Sequence, residues 1–253
     1  MENNQPTFLD LLLETHVGLE RQGPGSPAAT KQALAFLAPL DRFERIADLG
    51  CGSGGQTLLL AEALSGSIVG LDLFPNFVEQ LQRNAKAKGL EGRVTGVVGN
   101  MEQLPFEKGS LDLIWSEGAI DNIGFEKGLR HWHDFLKKDG YVAVTCPSWI
   151  TKERPAEAEQ FWADAGSKLY PVESCIEAMQ DCGYTFVAAF VLPETCWTDH
   201  YYAPREAAIQ RLQKKYPHSD TMQQYAAINR HEVELYQRYK QHYGYVFYLG
   251  RAR

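Results

Sequence analysis

The sequence predicts an α/β fold, a mostly parallel sheet sandwiched between helices, and three observations predict it. Seven short apolar runs, at 46–49, 67–71, 94–98, 111–116, 141–145, 184–192 and 245–249, have strand length and composition. Between most of them lie stretches with apolar residues at helical spacing, the alternation of βαβ units. The first run ends in an acid and a glycine-dense loop, Asp48-Leu49-Gly50-Cys51-Gly52-Ser53-Gly54-Gly55, which forbids the strand from simply continuing and implies a turn into a helix.

Taken in order, Phe8 to Val17 carries Phe8, Leu9, Leu11, Leu12 and Leu13 and reads as a short helix in need of a partner surface. Ser26 and Pro27 suit the N-cap and first position of a helix over 28–40, after the loop Arg21 to Gly25. Following the glycine loop, 56–64 shows an apolar stripe of Leu58, Leu59, Ala61 and Leu64. Pro75 opens a helix bearing Phe77, Val78, Leu81 and Ala85, with Gly89 as its stop. Further helices are expected over 125–137, 155–169, 172–182, 204–216 and 219–242, and 194–202 reads as an aromatic loop.

A chain of 253 residues, 44% hydrophobic and 23% charged, holds one large domain with a full core. The net charge of -7 argues against a nucleic-acid partner, whose phosphates draw clustered Lys and Arg. Arg205, Arg211, Lys214 and Lys215 come nearest to a basic cluster and read as a solvated helix face. The N-terminus lacks signal-peptide character and no run approaches the roughly 18 apolar residues of a membrane span, so a cytoplasmic protein with no membrane partner is expected. Five cysteines form no C-x-x-C pair, and His131 and His133 stand two apart on one helix and point to different faces. No metal site is expected.

The glycines of the loop let a ligand lie on bare backbone at a helix N-terminus. Gly50, Gly52 and Gly55 also fit the G-x-G-x-x-G pattern of dinucleotide sites, but Asp48 would repel a pyrophosphate and suits an ammonium. S-adenosylmethionine carries an ammonium and a sulfonium and no phosphate. The stretch Asp48 to Gly54 resembles the acid-x-G-x-G-x-G motif of class I S-adenosylmethionine-dependent methyltransferases. That resemblance implies a Rossmann-like three-layer sandwich whose seven-stranded sheet is mostly parallel, the last strand (245–249) entering antiparallel between strands five and six. It implies S-adenosyl-L-methionine as cofactor, S-adenosyl-L-homocysteine as product, and a cofactor site of Asp48, Gly50, Gly52, Ser53, Gly54, Gln56, Asp72, Leu73, Asn100, Met101 and Glu117. Asp72, ending the second strand, would accept both ribose hydroxyls. Asn100 stands where the family usually has an acid toward the adenine amino group, and its amide oxygen can accept the same bond. The next amide, of Met101, would donate to a ring nitrogen.

Within a single domain spanning 1–253, residues 1–45 are expected to cover the site and 193–243 to form a helical and aromatic insertion before the last strand. The motifs G-P-G-S, D-L-G-C-G-S-G-G-Q-T, L-P-F and S-E-G-A-I are similar to those of small-molecule methyltransferases of ubiquinone and menaquinone biosynthesis. The expected function is therefore methyl transfer to a small molecule, in a monomer or homodimer. The rivals are an NAD-dependent oxidoreductase and a non-catalytic S-adenosylmethionine-binding regulator. In the resembling family an N-P-P-Y tetrapeptide after the fourth strand marks methylation of planar amino groups, and its absence here favours another acceptor. Glu117, at a strand end, ranks first as a general base, ahead of His200, His16 and Asp121. Gly25, Ser26, Trp197, Tyr201 and Tyr202 are the substrate-binding candidates.

Overall fold

A computed structural model describes residues 5–37 and 39–253. Its sheet runs in the order β3-β2-β1-β4-β5-β8-β7, made by β1 (Arg45–Leu49), β2 (Ser67–Asp72), β3 (Val94–Val98), β4 (Leu111–Ser116), β5 (Leu136–Trp149), β7 (Tyr184–Val191) and β8 (Tyr243–Ala252). The strands from β1 to β5 pair in parallel, and β8 lies antiparallel between β5 and β7, from Tyr141 opposite Arg251 to Trp149 opposite Tyr243. An eighth strand, β6 (Tyr170–Pro171), adds two parallel pairings to the end of β5. The sequence shows it only as a break, because two residues carry no periodicity.

β1 is buried along all but its first residue, as expected of a central strand covered on both faces. On those faces lie two clusters, one including Ile46, Leu60, Leu113 and Phe247, the other Leu49, Ile114, Trp132 and Tyr248. The helices α3 (Gly55–Ala63), α4 (Pro75–Ala87), α5 (Phe125–His133), α6 (Ala156–Asp164) and α7 (Val172–Asp181) follow their strands much as the periodicity predicts. Two of them end early, α6 at Asp164 instead of 169 and α5 at His133 instead of 137. Leu136 leaves the helix to pair with Leu111, and Asp139 then takes a left-handed turn (φ 64°) into the main run of β5.

At the N-terminus, α1 (Phe8–His16) starts on a capping box between Thr7 and Asp10, and α2 (Pro27–Ala35) is capped by Ser26, whose hydroxyl accepts from the Ala29 amide. α2 stops short of the expected residue 40. Phe36 and Leu37 donate to carbonyls three residues back, and Pro39 cannot continue a helix.

The aromatic stretch after β7 is helical rather than a loop. α8 (Thr195–Trp197) passes into a π-helical turn (Thr198–Tyr202) and on into α9 (Ala203–Lys215). Pro204 explains the widened turn, since it offers no N–H to the turn before it and its ring would crowd that turn's carbonyl in a regular α-helix. α10 (Asp220–Tyr239) returns across α9, and Leu11 of α1 packs with Ile209, Leu212, Met222 and Tyr225 to dock the N-terminal helix on this insertion. All five cysteines are free and buried. No described helix is long and apolar enough to cross a membrane.

Candidate active site

The strand order reverses between β1 and β4, and a cleft of about 640 Å³ opens beyond the carboxyl ends of these strands and β2. Of the residues expected at a cofactor, Gly50, Gly52, Gln56, Asp72, Leu73, Asn100, Met101 and Glu117 line it. Asp72 accepts from the Gly52 amide at 2.9 Å and from the Phe74 amide at 3.0 Å, which fixes its carboxylate at the cleft wall. Burial raises its pKa, opposed by these amides. Asn100 uses its side-chain oxygen to accept from the Glu102 amide.

Gly52 is left-handed (φ 53°), and a Cβ there would strike the Gln22 side chain at 1.8 Å. Gln22 explains why. It donates to the Ser53 hydroxyl at 2.7 Å and accepts from the Ser53 amide at 2.9 Å, clasping the segment between α1 and α2 onto the glycine loop. Ser53 is therefore consumed by this clasp, Gly54 packs against Leu81, and neither lines the cleft. Asp48 also lies behind the wall. Its Oδ2 accepts from Thr57 at 2.5 Å, its Oδ1 is buried without a partner, and burial pushes its pKa up to about 7.

Glu117 is placed at the cleft as expected, but its carboxylate is fully engaged. Oε2 accepts from Arg21 at 2.5 Å, and Oε1 accepts from Thr30 at 2.7 Å and from the Trp115 indole at 2.9 Å. The free base expected there is a structural anchor in this arrangement. Gly25 and Ser26 do not line the cleft either. A Cβ at Gly25 would meet Arg21 at 2.9 Å, and Ser26 caps α2 while accepting from the Cys196 thiol. Asp121 does line the cleft; its Oδ1 is buried without a partner and burial raises its pKa.

The aromatic candidates divide. Trp197 is 1% exposed and stacks on Tyr236 at 4.3 Å, and Tyr202 lies beside it in the same cluster, so both belong to the core instead of the expected pocket or lid. His200 lies outside the cleft lining. Tyr201 instead meets His16, 185 positions earlier, at 3.4 Å. The two border a chamber of about 290 Å³ that shares Leu12, Gln22 and Phe77 with the cleft. Arg205, expected on a solvated face, is buried there. It donates to Tyr201 at 3.0 Å, to Glu232 at 2.7 Å and to the Asn229 carbonyl at 3.1 Å. Sequence reasoning did not single out Arg21, Gln22, Arg205, Glu232 and Tyr245 as site residues, since their partners come from distant parts of the chain.

Residues 46–140 match the family described as methyltransferase domain. Phosphoethanolamine N-methyltransferase 1 of Arabidopsis thaliana is 29% identical over 68% of this chain and 34% of its own length. The ubiquinone/menaquinone biosynthesis C-methyltransferase of Citrifermentans bemidjiense is 34% identical over 40% of this chain and 44% of its own. The chain thus spans about a third of the first and under half of the second. In fold it is similar to an S-adenosylmethionine-dependent methyltransferase of Thiobacillus denitrificans in complex with S-adenosyl-L-homocysteine, with a TM-score of 0.82 at 21% identity, covering 96% of this chain and 98% of that one.

Proposed function

We propose that this chain, whose residues 46–140 form a methyltransferase domain, transfers a methyl group from S-adenosylmethionine to a small-molecule acceptor. The observation that carries the reading is the joint placement of the glycine loop and Asp72 at the point where strand order reverses. The residues fit the cofactor. Asp72 and Asn100 present acceptors for ribose and adenine, and α3 begins without a side-chain cap. When bound, the sulfonium supplies a methyl carbon with a good leaving group, so holding the acceptor in line is the protein's main contribution.

Glu117 serves that positioning by fixing Arg21 and Thr30, and with them the segment that closes over the cleft. Asp121, which lines the cleft and whose Oδ1 has no hydrogen-bond partner, then ranks ahead of Glu117 as a base. The acidic chain, with a net charge of -7, favours a small molecule over a nucleic acid.

Calorimetric titration with S-adenosylmethionine, S-adenosylhomocysteine and NAD tests the cofactor. Binding of the first two and not the third is the expected result; tight NAD binding alone would replace this reading with the oxidoreductase one. Incubation of a metabolite extract with methyl-labelled cofactor, followed by mass spectrometry, then separates an enzyme from a binding regulator.

A further inference from the structure

The chamber beside the cleft is lined by a charge pair and by rings. Arg205 and Glu232 meet at 2.7 Å with side chains 3% and 18% exposed, so the guanidinium and the carboxylate cancel inside a largely apolar wall that includes Phe8, Phe77 and Tyr225. An anion settling in this open-sided hollow would face Glu232, and a cation would face Arg205, each shedding part of its water without a free counter-charge. A neutral ligand pays neither cost. Aromatic walls favour a flat ring, and about 290 Å³ suits a small one.

His16 supplies the polar handle. Its Nδ1 donates to the Leu12 carbonyl at 2.8 Å, one turn back, which leaves Nε2 as an acceptor. Burial pushes its pKa down to about 4, so the ring stays neutral. The hydroxyl that Nε2 faces is Tyr201, at 3.4 Å, longer than an O–H donor normally adopts. Tyr201 meanwhile accepts from Arg205 at 3.0 Å. A ligand hydroxyl can therefore make a shorter bond to His16 than the protein itself makes.

We infer that this chamber, which shares Leu12, Gln22 and Phe77 with the cleft, is a seat for a small neutral aryl alcohol, the class of the methyl acceptor. The inference rests on the methyltransferase reading only for the word acceptor; the seat and its charge preference stand on the chamber's own residues.

The test uses the full chain saturated with S-adenosylhomocysteine, whose binding is measured first. Failure of that first step overturns the cofactor reading and leaves the chamber to be probed in the free protein. Phenol, benzoate and benzylammonium are then compared by saturation-transfer NMR at neutral pH. Phenol should bind at least about tenfold more tightly than either ion, a difference of about 1.4 kcal/mol. Equal or tighter binding of benzoate or benzylammonium, or no binding of phenol, overturns the seat. Glu232→Gln, which leaves Arg205 uncompensated, should reverse the order in favour of benzoate, and Tyr201→Phe should retain phenol. A Glu232→Gln protein that folds and still prefers phenol would also overturn it; if that variant does not fold, the order in the unaltered protein decides.

Discussion

Arg21 and Glu117, 96 residues apart in sequence, form an ion pair at 2.5 Å in which each side chain is 4% exposed. The pair ties the loop before α2 to the end of β4, and so joins one wall of the cleft to the sheet. Removing one partner would strand a buried charge, which typically costs about 3–5 kcal/mol. Glu117→Ala should therefore lower the melting temperature strongly, whereas Glu117→Gln, which keeps its hydrogen bonds to Thr30 and Trp115, should cost less. Thermal melts of the two variants compare them, and an unchanged Ala variant would show that the anchor is not structural.

Asp72 should dominate cofactor affinity. A charge-assisted bond of the expected kind contributes about 1.5–3 kcal/mol, so Asp72→Ala should weaken S-adenosylmethionine binding by roughly ten- to a hundredfold. Because Asp72 also accepts from the Gly52 amide, calorimetry must be paired with a fold check. Full affinity in the folded variant would remove Asp72 from the site.

Trp197 gives the opposite profile. As a stacked, fully buried ring, its truncation to Ala should cost about 3–5 kcal/mol and lower the melting point in proportion. A variant that melts like the unaltered protein but loses methyl transfer would restore the pocket role expected from sequence.

Asp48 predicts a pH dependence. Its native pKa is raised to about 7, so between the ordinary carboxylate range and pH 7 the native state keeps a proton that the unfolded chain has released. Stability therefore falls as pH rises through that window, by on the order of 4 kcal/mol for this group once it is fully ionised. Asp48→Asn should flatten the slope and raise the melting point at pH 8 in the cofactor-free protein. Melts from pH 5 to pH 8 decide it, and parallel curves for the two proteins would contradict the burial argument.

The strand runs and the glycine loop were legible because they are local signals, whereas the antiparallel placement of β8 came only from the family resemblance. What hid was set by contacts between distant residues. His16 and Tyr201 are 185 positions apart, and Arg205 on its own helix looks like any other surface cation until Glu232 is brought to it. The aromatic run at 195–202 misled for a related reason, since its mixture of rings and polar groups suits an exposed loop and a buried helix equally well.

The π-turn at Thr198–Tyr202 makes the side chamber sensitive to chain length as well as to side chains. A helix turns about 100° per residue, so deleting one residue from the wide turn would restore regular winding and swing either Tyr201 or Arg205 away from the other. An indel of a single codon could thus re-aim the specificity of the pocket in one evolutionary step while sparing the cofactor cleft.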